Sequence, residues 1–593
     1  MKKKSLLFLT LTALTALPLT SCGLFIDIYS PTAISLDSEI TLEGGESQKL
    51  TYKLSPTTAK IDSYTWSVED QNIAYVNDGI VTGLSKGTTN VSLTVKYRST
   101  TLSTSCVVNV TSEYVSSKTE LSYTYNDYVD ENVYAISNTP TIGSPKLLII
   151  PIWFTNSDNY VKSSYRNTVK EDIRLAYFGS NEETGWRSVK TYYSELSKEK
   201  LQLSGTVSSW YECGNKSSYY SSSSLTSELV SEATDWYFKN NTSDKRSNYD
   251  YDNDGYLDGV MLIYAAPDYS VTKSTNTNLW AYCHWIQGRN PNKLSPNPNV
   301  YFWASFDFMY GSNVVASKTG KNYAGGDTTY CNLDTHTYIH EMGHVLGFTD
   351  YYDTSDTSKY EAYTPAGGFT MQDYNVGSHD PYSVLAAGWA TPYIPLKSVT
   401  INLKPFQTSN EMIILTPEWN SSNSPFDEYI IIEYYTPDGL NEFDTKNAYK
   451  QKYPTGSSKS GIRVWHVDAR LTHYISSSSS YSTQLTSDPT VGLVYHAMSN
   501  TSHDGDHVSP LGESYYSFNL LQLIRNDKKE TYRMSDFFSD ESLFYAGDTF
   551  KMETYSSQFV KRSKLNSGKS LGWSFSVDAL TDESATITLT KTN

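Results

Sequence analysis

The sequence predicts a multidomain chain: a small N-terminal β-sandwich, an α+β domain in the middle and a β-rich C-terminal region. Three observations predict it. The length of 593 residues favours roughly four packed units over one core. Hydrophobic residues at 38% and aromatic residues at 14% supply enough apolar surface to bury, which excludes a disordered or fibrous chain. The hydrophobic period also changes twice, from alternation in residues 30–112, to helical and strand patterns together in 145–394, and back to β-rich runs in 395–593. With 47 basic against 64 acidic residues the net charge is −17, so no long-range field draws in phosphates and no nucleic acid partner is expected.

Residues 1–22 read as an export signal: Lys2, Lys3 and Lys4 are followed by a mostly apolar run from Leu6 to Leu19. That run is too short to span a bilayer. Its end, Leu19-Thr20-Ser21-Cys22, resembles the bacterial lipoprotein box. The resemblance implies cleavage before Cys22, a lipid on its sulfur, and an exported protein anchored to the bacterial cell membrane and facing outside. An ordinary secretory signal with a chance cysteine is the alternative. Cys106, Cys213, Cys283 and Cys331 are too few for a disulfide-built scaffold, and one or two bridges stay open.

In residues 30–112, short alternating runs (Leu50, Tyr52, Leu54; Tyr64, Trp66, Val68; Val91, Leu93, Val95; Val108, Val110) sit between turn residues, as in a β-sandwich. The order Gly44-Gly45, Leu50, Pro56, Trp66, Gly79 to Gly83 and Gly87 resembles a group 2 bacterial immunoglobulin-like domain. Such a domain implies a spacer, or an adhesive module touching a host surface or glycan. Residues 113–144, polar and rich in Tyr and Ser, read as a linker.

The middle domain opens on Lys146 to Phe154, an apolar run too short for a helix and so a buried strand. Helical stretches are expected at Val161 to Tyr177, Val189 to Leu196 and Leu225 to Lys239 with Ser224 as N-cap, and a strand at Leu201 to Trp210. The chemistry sits in HEMGHVLGFTDYYD, residues 340–353. On a helix His340 and His344 are one turn apart and project from one face, where both imidazoles can bind a single Zn²⁺. Glu341, about 100° round the helix, is placed to take a proton from water as general base without ligating. Asp334 or Thr335 can cap the helix start, and Gly347 suits the left-handed residue that ends it. The chain then reverses, bringing Asp350 back as a third, oxygen ligand and leaving a fourth position open, the pattern of a catalytic site.

The motif resembles the HExxHxxGxxD signature of the immune inhibitor A type zinc metallopeptidases, secreted bacterial endopeptidases. The likeness extends to Lys146 to Phe154, Ser188 to Trp210, Gly368 to Trp389, Tyr429 to Glu433 and Gly461 to Asp468. It implies a zincin/metzincin-like catalytic domain with His340, His344 and Asp350 on zinc and Glu341 as general base. It also implies that Met371, 27 residues beyond His344, is the Met-turn residue beneath the metal, with a core methionine as the alternative. A second electrophile for the transition state is expected from Tyr374 or His379.

Asp250, Asp252, Asp254 and Asp258 fall at positions 1, 3, 5 and 9 of a loop turning on Gly255, as in calcium loops. Position 12 is Met261, so the loop is not a full EF-hand; the family resemblance favours structural Ca²⁺ over a solvated acidic turn. His503, Asp504, Asp506 and His507 read as a solvated loop, and the Ser476 to Ser480 run as a flexible one. His466 and Asp468 share one side of a strand, as ligands or as a satisfied core pair; His284 reads as core packing. The expected function is a surface-anchored zinc endopeptidase acting on extracellular proteins or peptides. The alternative is a cell-surface adhesin whose peptidase-like domain is a non-catalytic scaffold.

Overall fold

The computed structural model describes residues 29–128, 138–286, 288–353, 364–451, 453–477, 480–491, 494–501, 518–532 and 536–592. The export signal with Cys22, and the histidines and aspartates of 503–507, lie outside them. The chain divides into two compact units, 1–114 and 115–593.

The first unit is a β-sandwich. One sheet runs Glu39–Leu42, Thr100–Val110, Gly87–Tyr97, Ser63–Val68, and the other Ser47–Lys49, Ile80–Gly83, Ala74–Asn77. The alternation read from the sequence is the reason: Val91, Leu93 and Val95 point inward and are buried, as are Leu42, Leu50, Val81, Cys106 and Val108. Inward and outward residues alternate because successive side chains leave opposite faces of a pleated strand.

The second unit is built on a six-stranded mixed sheet. Its path is Ser204–Val207, Lys146–Trp153, Val260–Tyr264, Val300–Ser305, Tyr282–Trp285, with Tyr211–Glu212 also pairing to Lys146–Trp153. All pairings are parallel except the last, so Tyr282–Trp285 is an antiparallel edge strand. Both faces are covered, which is why Lys146–Trp153 and Val260–Tyr264 are continuously apolar. Leu147, Ile149, Met261, Ile263, Phe302 and Ala304 face helices Arg166–Phe178, Val189–Leu196 and His336–Val345. Leu148, Ile150, Leu262, Tyr264, Tyr301 and Trp303 face helix Ser223–Asn240, whose N-cap is Ser222 where Ser224 was expected. The expected helix from Val161 begins at Arg166, after a short 3-10 turn.

Beyond residue 394 the β runs form as expected and build a core of their own, while one of their sheets also closes the core that carries helix His336–Val345. The sheet Ile413–Leu415, Glu428–Tyr435, Gly461–Asp468, Leu521–Ile524 is buried on both faces. Ile430, Ile432, Ile462 and Val464 pack with a second sheet (Val399–Leu403, Ala585–Lys591, Trp573–Leu580, Thr549–Lys551). Tyr429, Ile431, Trp465 and Val467 join the core that carries helix His336–Val345. Residues 476–477 and 480 belong to a hairpin, Leu471–Ser477 with Ser480–Thr486, in place of the expected loop.

The stretch expected to be a linker is also largely built in. Within the second unit, Thr119 N–H donates to Pro392 O at 2.8 Å and Ser122 N–H to Asn423 O at 2.9 Å. Tyr125, 1% exposed, packs against Phe348, Tyr382, Phe426 and His496. The polar composition hid this, since a few large rings suffice to fasten a polar strap. Among the described residues Cys106, Cys213, Cys283 and Cys331 are free thiols.

Candidate metal centre

Helix His336–Val345 forms because Tyr338, Ile339, Met342 and Val345 recur on one face and are buried there. Asp334 Oδ1 accepts from His336 N–H at 3.0 Å, a contact of the kind that contributes about 1 kcal/mol at a helix start. Thr335 makes no capping bond; its hydroxyl donates to Arg187 O at 2.7 Å. At the other end Gly347 takes φ +99, and Phe348 N–H reaches back to Gly343 O at 2.9 Å. That left-handed turn stops the helix and sends Thr349 and Asp350 back toward the histidines.

The reversal brings Asp350 Oδ1 to 3.2 Å from His340 Nε2 and 3.3 Å from His344 Nε2. Each imidazole's other nitrogen is tied down: His340 Nδ1 donates to Met371 O and His344 Nδ1 to Phe348 O, both at 2.8 Å. These bonds hold both rings with Nε2 toward the Asp350 carboxylate. Asp350 Oδ1 is buried and makes no hydrogen bond among the described residues. Two imidazole nitrogens and one carboxylate oxygen within 4.8 Å of one another, with that oxygen unsatisfied, fit a Zn²⁺ ion.

The electrostatics point the same way. Burial alone would lower His344, but the Asp350 carboxylate overrides it and raises that imidazole to about 10. His340 is raised by the same neighbour against its own burial, and Asp350 is held far below the carboxylate range by the two imidazoles. Glu341, 7% exposed, is pushed up by burial while His344 and His340 pull it down.

His340, His344, Asp350 and Glu341 line a cleft of about 530 Å³. Trp280, Tyr282 and Trp285, on and beside the edge strand, line the same cleft, as does Tyr352. Gly343 is required for space: a Cβ there would lie 2.5 Å from Gln372 Oε1, and Gln372 Nε2 sits 3.4 Å from the His344 ring nitrogens.

Met371 is fully buried in the core, and its carbonyl accepts from His340 Nδ1. The two expected electrophiles do not reach the cleft. Tyr374 stacks behind Tyr352 at 5.4 Å, and His379 is buried behind Phe348 with Nδ1 bonded to the Tyr192 hydroxyl at 2.8 Å. Burial lowers His379 well below the usual imidazole value. Sequence spacing misplaced both because it carries no information on which side of the turn after Met371 each ring emerges. Tyr352 and Gln372 were missed; the only signal for Tyr352 was its adjacency to the Asp350 turn.

In the acidic loop, Asp250, Asp252 and Asp254 converge within 4.8 Å. Asp258 does not join them: its carboxylate accepts Tyr251 N–H at 3.0 Å and Lys146 N–H at 3.2 Å, so it ties the loop to the opening strand. Asp250 Oδ1 is buried without a partner among the described residues. Burial pushes Asp250 up, and burial followed by the Asp254 charge pushes Asp252 to about 6. An orphaned oxygen among crowded carboxylates fits a hard cation such as Ca²⁺.

Elsewhere His466 Nε2 meets Glu428 Oε1 at 2.9 Å and Asp468 takes a two-pronged contact from Arg470 at 2.7 and 2.8 Å, a satisfied core network. His284 lies against Tyr301 and Tyr282, while its neighbours Cys283 and Trp285 line the cleft.

Residues 31–108 match the group 2 bacterial Ig-like domain, so the first unit is an Ig-like domain. The chain is 28% identical over 224 residues to the pre-pro-metalloprotease PrtV of Vibrio cholerae, in strain M66-2 and in strain ATCC 39315 / El Tor Inaba N16961. The likeness covers 34% of this chain and 22% of that protein, so it spans about a fifth of the relative's length. Among the described residues no helix is long and apolar enough to cross a membrane. The chain is a multidomain, β-rich protein with an N-terminal Ig-like domain and a partial likeness to a metalloprotease.

Proposed function

We propose that this chain is a zinc endopeptidase of the immune inhibitor A type, exported and held at the bacterial cell surface by a lipid on Cys22, acting on extracellular proteins or peptides. The observation that carries the reading is the convergence of His340 Nε2, His344 Nε2 and the unsatisfied Asp350 Oδ1 in the cleft that Glu341 also lines. The partial likeness to a metalloprotease supports it.

Zn²⁺ at His340, His344 and Asp350 would supply Lewis acidity, bringing a water within reach of deprotonation near neutral pH and polarising the scissile carbonyl. Glu341 takes the proton as that water attacks and then gives it to the departing amine nitrogen. Burial raises the Glu341 carboxyl, which makes its carboxylate the stronger base for taking the proton from water. The edge strand Tyr282–Trp285 borders the cleft, so an extended peptide adds to the sheet there through main-chain hydrogen bonds. Ca²⁺ at Asp250, Asp252 and Asp254 is structural, and the Ig-like domain is the spacer, or the contact to a host surface or glycan.

The test is mass-spectrometric mapping of cleavages in an unfolded protein mixture by the zinc-loaded chain and its Glu341→Ala variant. Cleavage by the parent, reduced by roughly 10²–10⁴ in the variant at equal zinc content, is the expected result. Equal rates would sink the mechanism. Silence from both, with surface binding retained, would favour an adhesin on a non-catalytic scaffold.

A further inference from the structure

Resting on the peptidase reading, we propose that Tyr352 is the second electrophile of the site, its phenol O–H donating a hydrogen bond to the oxyanion that develops on the scissile carbonyl.

The cleft leaves few other donors. Neither lysine nor arginine lines it among the described residues. The Tyr282 hydroxyl is engaged with Thr226 Oγ1 at 2.7 Å, and Thr501 Oγ1 with Ser499 Oγ at 2.9 Å. Thr349 carries its hydroxyl on a single carbon and has little reach. Tyr352 is half-buried, lines the cleft with all three ligands and Glu341, and its ring centroid lies 6.4 Å from that of His340. Among the described residues its hydroxyl has no hydrogen-bond partner.

What sets Tyr352 apart from an ordinary cleft aromatic is how it is held. Its ring packs on Tyr374 at 5.4 Å; Tyr374 stacks on Tyr453 at 5.9 Å and 19°, and Tyr453 on Tyr449 at 6.1 Å and 12°. Tyr449 closes the ladder on the metal helix itself, against His336 at 4.7 Å, with its hydroxyl donating to Asp334 Oδ2 at 3.0 Å. Asp334 and His336 are the residues that start the helix bearing His340 and His344. Three rings thus connect the start of helix His336–Val345 to Tyr352 through packed contacts. A donor fixed in this way costs little reorganisation when charge develops, which is the condition for a large transition-state effect. Tyr374, one of the two residues expected in the role, packs behind Tyr352 and positions it.

The experiment compares the zinc-loaded full chain with Tyr352→Phe, which keeps the ring and its stacking and removes only the hydroxyl. Three readouts are taken: kcat and KM on a peptide substrate, bound zinc by elemental analysis, and the affinity of a phosphinic peptide, whose tetrahedral oxygens mimic the transition state. The expected result is a fall in kcat of about 10²–10³-fold, KM and zinc content unchanged, and the phosphinic peptide weakened by a similar factor. Peptide binding in the Glu341→Ala background, which reads the ground state, is expected to be unaffected by adding Tyr352→Phe. A kcat within threefold of the parent, or a loss of zinc that accounts for the fall, would overturn the assignment while leaving the peptidase standing. A parent chain that does not cleave at all, judged against Glu341→Ala, removes the peptidase reading and this one with it.

Discussion

The two clusters of metal-ligating side chains are held in place in different ways. At His340, His344 and Asp350, one orienting partner is local, Phe348 O on His344, and the others come from a distant segment: Met371 O holds His340 and Gln372 flanks His344. At Asp250, Asp252 and Asp254, the carboxylates accept mainly from amides of their own loop, Asp254 N–H to Asp252, Gly255 N–H to Asp250 and Tyr256 N–H to Asp254. The first site is pre-organised by the packed core around it. The second is a loop whose like charges repel one another, which a bound cation would draw together. Pre-organisation suits a site that performs chemistry, and a loop closed by its ion suits one that stabilises.

The largest test of that contrast removes one ligand from each. Asp350→Ala leaves two imidazoles, so bound zinc measured by elemental analysis is expected to drop from near stoichiometric to a small fraction at micromolar free Zn²⁺, and cleavage with it. Asp254→Asn is expected to leave zinc content unchanged. Zinc lost equally from both variants would mean that the two clusters are not independent.

A second test acts on a glycine in each cluster. Gly343→Ala drives a methyl to about 2.5 Å from Gln372 Oε1 on the helix face beside His344. The side chain must shift, and disturbing partners that orient ligands costs about 10–100-fold in metal affinity, measurable by competition with a zinc chelator. Gly255→Ala instead forces a side chain onto φ +97, with its Cβ 2.7 Å from Asn292 N, and is expected to weaken calcium and leave zinc affinity as it was. An unaltered zinc affinity in Gly343→Ala would show that Gln372 yields without disturbing His344.

How much of this was legible in the sequence follows from distance along the chain. His340, Glu341 and His344 fall within one and a half helical turns and Asp350 one reversal later, so local geometry alone assembled them. The Asp250 loop was legible for the same reason, except that Asp258 is drawn off by Lys146 N–H, a partner more than a hundred residues away. Tyr352 depends on a ladder through Tyr374, Tyr453 and Tyr449, and no local period encodes a stack across so long a separation. The strand Glu428–Tyr435 was legible as a strand; that its two faces serve two cores was not, since a run buried on both sides reads alike whatever covers it. Tyr125 in the expected linker was hidden because its packing partners, Phe348, Tyr382 and Phe426, come from elsewhere in the chain.

The smallest expected effect lies at the loop, and it sharpens the comparison most. Calcium saturating the loop at about a hundred times its Kd stabilises the second unit by roughly 2.7 kcal/mol, which for a unit of this size corresponds to about 2–5 °C in melting temperature. A calcium-selective chelator is therefore expected to lower the melting temperature by that amount in the parent and not in Asp250→Asn or Asp254→Asn. Cleavage at room temperature by the zinc-loaded chain is expected to persist after the chelator, because the loop's tie to the opening strand runs through Asp258, which the ion does not hold. Activity lost with calcium at a temperature where the fold is intact would mean that the loop shapes the cleft, and the division between a chemical and a structural cluster would have to be abandoned.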